Sequence, residues 1–335
     1  MPVVNAVAER IASSILAYPS RSRMLGIGRT IIAIGQLSVL VFTPQSYLFV
    51  PLAGMPQSPQ CDTTGSSLLA YCMFGGLAKN TVAMVIGAIL VAVIIGVLPR
   101  VTGVLHYWAS VSMGTAFALP DGGEQAAQVA TFFLMFALVN DNRIWHWQLR
   151  GAPDSAGVFQ GIAWAAGWAL RLQMAYIYLN ASISKIAVSD WSDGTAVYYV
   201  VRGESFGVGN FLQSTILAIT AVPLLALIAS WGTIAIEAAT AVLILGRGRV
   251  RLVGLLLSIF LHIAFIAAIG LWSFALIMVG LMVCATTGWN SSRRESELEV
   301  SNSAVVKMHE TDGRRQTDSL LTSKDPISET IRPTT

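Results

Sequence analysis

Eight apolar stretches, each close to the length of a helix that crosses a bilayer, fill most of the sequence between residues 24 and 287. They cover about 24–43, 81–98, 101–119, 124–139, 158–186, 221–245, 250–269 and 271–287. A helical span needs about 20 mostly apolar residues, because each residue rises about 1.5 Å through a hydrocarbon layer about 30 Å thick. Charge is correspondingly scarce, at 12% of residues, where a soluble domain carries about 25%. It is also uneven. Residues 289–335 hold 7 of the 21 Lys/Arg and 8 of the 18 Asp/Glu, leaving 14 and 10 for the first 288. Such a segment cannot cover itself with polar surface, so its solvent is the bilayer. The expected fold is an all-α, polytopic membrane helix bundle of about eight transmembrane helices, placed in the cell membrane as a multi-pass protein.

The loops orient the bundle. Lys and Arg concentrate on the cytoplasmic side of membrane proteins. With the N-terminus inside, the inner loops receive Arg10, Arg21, Arg23, Arg100, Arg143, Arg150, Arg247, Arg249 and Arg251, and the outer ones only Lys79, Lys185 and Arg202. Both termini are then cytoplasmic. The same rule favours a single span over 221–245, with 204–220 as an interfacial helix, because two short spans would carry Arg247–Arg251 outside. Residues 1–23 hold Glu9, Arg10, Arg21 and Arg23 around a short apolar stretch. They read as an amphipathic cytoplasmic segment on the membrane surface, with no evident cleavable signal. Residues 24–288 form the transmembrane domain. Residues 289–335, rich in Ser, Thr, Glu and Arg and free of aromatics after Trp289, read as a disordered cytoplasmic tail.

Ionisable residues inside spans are costly and face a cavity or a partner. Those singled out are His106, Arg171, Lys185, Glu237 and His262. Arg171, Met174, Tyr178 and Lys185 fall on one face of the fifth span, and that face suits a cavity opening outward. Lys185 either reaches the headgroups or sits in an apolar pocket, where a lysine can act as a base. Arg171 either lines the cavity or pairs with Glu237. His262, in "IFLHIAFIAAIGLWSF", either bonds a neighbouring helix or joins Lys185 at the outer depth. His106 reads as structural. His146, in "NDNRIWHWQLR", lies between two interfacial tryptophans.

Two outer loops carry further candidates. In "LALPDGGEQAAQ", Asp121 or Gly123 can cap the next helix, while Asp121 and Glu124 put two carboxylates on the side of Lys185. In "CDTTGSSLLAYC", Cys61 and Cys72 are spaced to form an extracytoplasmic disulfide. Cys284 lies in the last span. No His or Cys has metal-ligand spacing, so no metal is expected. The basic residues form no patch with interleaved aromatics, so nucleic acid is not an expected partner. Three Gly-x-Gly triplets lack the rest of a phosphate-binding fingerprint.

The run "LPRVTGVLHYWASVSMGTAFALPDGGEQAAQVATFFLMFALVNDNRIWHW" resembles the SdpB-type membrane proteins, which are encoded with secreted antimicrobial peptides of the sporulation-delaying kind. The run "LQMAYIYLNASISKIAVSDWSDGTAVYYVV" resembles the wider HTTM group, the transmembrane domain shared with vitamin K-dependent γ-carboxylases, and "LHIAFIAAIGLWSFALIMV" fits that group's late spans. The resemblance covers roughly residues 20–288. It implies an active site facing away from the cytoplasm. Lys185 matches the carboxylase lysine that deprotonates reduced vitamin K, and His262 matches a late-span histidine. Where the carboxylases continue into a β-rich lumenal region, this chain has its polar tail.

Together these features predict maturation or export of a secreted antimicrobial peptide toxin, with the exported precursor and other products of the gene cluster as partners beside the lipid bilayer. Lys185 and His262 are the catalytic candidates. Arg171, Tyr178, Asp190, Trp191, Gly194, Asp121 and Glu124 are the substrate-binding candidates. A quinone-dependent, carboxylase-like enzyme is the alternative, with a reduced isoprenoid quinone as cofactor. A toxin-immunity or transport component without chemistry is the third.

Overall fold

The computed structural model describes residues 2–51, 54, 58–148, 157–203 and 212–287. Their regular structure is helical, apart from an isolated bridge between Val97 and Trp145. Helix α1 is Pro2–Leu16 and α2 is Arg23–Phe42. Short α3 (Gln45–Leu48) and α4 (Ala70–Met73) precede α5 (Lys79–Ile95), α6 (Pro99–Ala116) and α7 (Gly122–Ala137). The long α8 (Val158–Ile186) ends in a corner built from α9 (Ser189–Ser192), α10 (Ala196–Val200) and α11 (Gln213–Thr220). Then come α12 (Pro223–Leu243), α13 (Arg249–Ile269) and α14 (Trp272–Ala285). The tail expected over 289–335 and the first part of the expected interfacial helix lie outside the described residues.

Each expected apolar segment folds as one helix. Three of them, α2, α12 and α13, are long and apolar enough to cross a membrane, while α5 and α14 are apolar but shorter. The other three have polar residues turned inward. Helix α6 buries Thr102, His106, Ser110 and Ser112, and α8 buries Gln160, Arg171 and Ser182. These groups find partners inside the bundle. Gln36 donates to Ser110 at 2.9 Å and its carbonyl oxygen meets His106 at 2.8 Å. Gln160 donates to the carbonyls of Ile15 and Tyr18 and accepts from Asn140 and Ser20, so it ties the start of α8 to the N-terminal segment.

The first long helix closes on the last. Helices α2 and α14 meet through glycines. A Cβ on Gly28 would stand 2.3 Å from Cys284 Sγ and 2.6 Å from the Gly280 carbonyl, and one on Gly280 would stand 2.7 Å from the Gly28 carbonyl. Small residues at such a crossing let two backbones approach without a side chain between them. Two apolar cores result. One surrounds α5 and α6 (Ile86, Leu90, Ala109, Met113). The other lies among α7, α8, α13 and α14 (Leu134, Met174, Leu261, Ile277) and holds the site described next. A disulfide joins Cys61, in the loop before α4, to Cys72 in α4, and Cys284 is a buried free thiol.

Candidate functional site

Helices α8 and α12 run antiparallel. Near the end of α8, Ser182 Oγ donates to the Ile234 carbonyl at 3.2 Å. Further on, the corner presses on α12 closer to that helix's start. Ser230 Oγ donates to the Gly194 carbonyl at 3.1 Å and accepts from the Val197 amide at 3.2 Å. Gly194 has φ +79°, a backbone conformation that favours glycine, and a Cβ there would stand 3.1 Å from Leu227 Cα, so the corner packs closely on α12. Asp190 supplies the carbonyl that accepts from the Thr195 amide at 2.8 Å, and its side chain is exposed.

Lys185 and Glu237 each lie one turn from the Ser182–Ile234 contact, in opposite directions along the axis. They still meet: Lys185 Nζ is 2.8 and 2.9 Å from the two Glu237 carboxylate oxygens. The lysine therefore runs back along α8, the way helical side chains lean, instead of reaching outward. Its Nζ also lies 5.2 Å from the centre of the Trp191 ring, a cation–π distance.

The pair lines a cavity of about 510 Å³ between α7, α8, α13 and α14, which Glu237 reaches from α12. Aromatic and aliphatic side chains make most of its wall, among them Tyr178, Leu261, Phe265, Phe274 and Met278. His262 lines it too. Its Nδ1 is 2.8 Å from the Ser258 carbonyl one turn back, and a carbonyl only accepts. Nδ1 thus carries the proton, and in the neutral ring Nε2 is a bare acceptor. Nε2 is buried and has no partner. Tyr178 fixes the same turn, its hydroxyl 2.7 Å from Ser258 Oγ.

The cavity thus brings together Lys185, His262 and Tyr178, with Trp191 over the ammonium. Asp121 and Glu124 do not line it. They form a capping box: Asp121 Oδ1 accepts from the Gly123 and Glu124 amides, and Glu124 Oε2 accepts from the Asp121 amide at 2.9 Å. Their neighbours Gly122 and Gln125 line the cavity instead. Asp190 and Gly194 shape the corner without reaching it.

Arg171 departs from both expectations. It neither lines the cavity nor pairs with Glu237. It sits about 21 Å down α8 from Lys185, where Nε donates to the Ala285 carbonyl at 2.9 Å and Nη2 to the Thr287 carbonyl. There it closes the C-terminal end of α14, whose last carbonyls have no partner within the helix. The expected pairing failed because periodicity places residues around a helix but does not say which neighbour stands opposite. Gln173, Asn180 and Ser258 also belong to the site or its support, and only their helical register with Lys185 and His262 signals it. Among the described residues no three His, Cys, Asp or Glu side chains converge on a metal-sized space.

The fold and its long apolar helices define an all-helical membrane protein. The chain is 31% identical over 312 residues to YitO of Bacillus subtilis (strain 168), covering 87% of this chain and 99% of YitO, and it belongs to the YitO family. It is also 28% identical over 195 residues to the sporulation-delaying protein SdpB of the same organism, covering 58% of this chain and 60% of SdpB. No family model and no solved structure matches the chain.

Proposed function

We propose that the chain is a multi-pass cell-membrane protein of eight spans, with both termini cytoplasmic, that matures or helps export a secreted antimicrobial peptide. The site is the cavity bounded by Lys185, Glu237 and His262, facing outward. One observation carries this reading: a relative of SdpB holds a lysine–carboxylate pair in the wall of a largely apolar cavity. Desolvated charge is costly unless it is paired, and it concentrates at functional sites. Lys185 and Glu237 can hold or pass a proton between Nζ and a carboxylate oxygen, and His262 Nε2 can accept one. Deletion of the gene tests this reading by intact-mass analysis of the peptide secreted by its cluster. Loss of the mature mass supports maturation. An unchanged mass with a toxin-sensitive producer favours immunity without chemistry.

The bare His262 acceptor in an aromatic wall favours a second reading, a quinone-dependent carboxylase-like enzyme. The apolar lining suits a prenylated ring. A reduced quinone bound there supplies an ionisable hydroxyl whose anion is reactive. His262, Tyr178 and Phe274 would hold the ring. Native mass spectrometry of gently extracted protein tests for such a lipid.

A further inference from the structure

The cavity wall is open on one side. On α7, Gly122, Gln125 and Val129 line the cavity and are exposed, and on α8 so are Tyr176 and Asn180. Val129 is 48% and Tyr176 67% exposed. These residues recur at helical spacing along the seam between α7 and α8, two helices in contact. In the eight-span reading this seam faces lipid, so the cavity opens sideways into the bilayer.

A lipid-facing seam is normally apolar, because unpaired polar groups are costly in hydrocarbon. This one carries three carboxamides, Gln125, Gln173 and Asn180. Gln173 Nε2 donates to the Ala126 carbonyl at 3.2 Å, which fixes the orientation of its amide and leaves Oε1 buried without a partner. Gln125 and Asn180 are exposed on the seam, and each of their carboxamides offers a donor and an acceptor together. A phenol or quinol only needs its hydroxyls accepted. A peptide backbone needs both, in alternation. Gln173 and Asn180 are seven residues apart, about 10 Å along α8, the length of about three residues of extended chain.

We propose that the α7–α8 seam admits an apolar peptide segment from the bilayer, its backbone amides met by the carboxamides of Gln125, Gln173 and Asn180. This names the form in which a precursor reaches the site, and it rests on the peptide reading above. It also makes the seam an entry route that bypasses the aqueous face.

The test uses the full chain in vesicles of phosphatidylethanolamine and phosphatidylglycerol, with a photoreactive residue at Val129 or, as control, at the exposed Leu172 outside the cavity. The probe is an end-blocked Ala/Leu decapeptide, compared with the same peptide N-methylated at alternate residues. The plain peptide is expected to crosslink at position 129 and not at 172. N-methylation, or Asn180→Leu with Gln173→Leu, is expected to weaken crosslinking about tenfold, the loss of one or two hydrogen bonds. Asn180 is exposed, so Asn180→Leu alone separates recognition from folding. Equal crosslinking by both peptides, none at 129, or displacement of the plain peptide by an alkyl hydroquinone overturns the proposal. Binding in vesicles is read apart from maturation in cells, so either reading can fail alone.

Discussion

Lys185 and Glu237 form an ion pair that is lopsided in its solvation: the lysine side chain is 21% exposed and the glutamate 5%. The two single removals should therefore differ. Lys185→Met leaves a buried carboxylate alone and should cost about 3 kcal/mol, near the lower end for a broken buried pair. Glu237→Leu leaves a lysine able to swing outward, at a smaller cost. The double variant should recover most of the loss, because a packed apolar pair replaces a buried ionic one with little penalty. Denaturation of the four proteins in detergent measures this cycle. Equal losses for the two single variants would contradict the geometry.

The α2–α14 crossing predicts a steric result. Gly28→Ala should destabilise by about 1–3 kcal/mol through overpacking. Adding Cys284→Ala should not restore stability, because the Gly280 carbonyl would still stand 2.6 Å from the new Cβ. Thermal unfolding of the single and double variants decides it, and full rescue would place the crowding at the thiol alone.

His146 predicts a pH dependence on the loop side of the bundle. Its ring is 1% exposed and packs against Gly26 and Gly96. Burial, with the nearby Arg29 and Arg143, lowers its pKa from 6.5 to about 4. The unfolded chain therefore takes up the proton first as pH falls. The contribution is intact above about 6.5 and is lost progressively down to about 4. His146→Phe should flatten stability across that window. An unchanged pH profile in the variant would show that another group sets it.

Arg171 separates structure from chemistry. Arg171→Gln should lower stability by about 1–2 kcal/mol by freeing the α14 carbonyls. Per folded molecule, it should leave peptide maturation unchanged. Comparison of the secreted peptide mass with the amount of folded protein checks both parts.

Much of the helical layout is legible in the sequence, because apolar length and basic loops leave few alternatives. Segment 158–186 coincides with α8, and Pro223 opens α12 after the separate, eight-residue α11. The site is legible in part. Lys185, Tyr178 and His262 stand out as polar groups in apolar runs, and all three line the cavity. The partner of Glu237 is not legible, since helix order says which helices adjoin but not their relative depth. Asp121 is legible as the cap of the next helix, but its spacing to Glu124 suits a carboxylate pair as well as a capping box, and only the structure decides between them. Gln173 and Asn180 are ordinary amides until the packing shows that they border an opening.

The most direct test of the account uses the stable double variant, Lys185→Met with Glu237→Leu, as the sole copy in a strain lacking the gene. At equal expression, the intact mass of the secreted peptide is read. The account predicts that the mature mass is absent although the protein is folded and in the membrane. Mature peptide at the wild-type level would contradict it and reduce the buried pair to a structural contact.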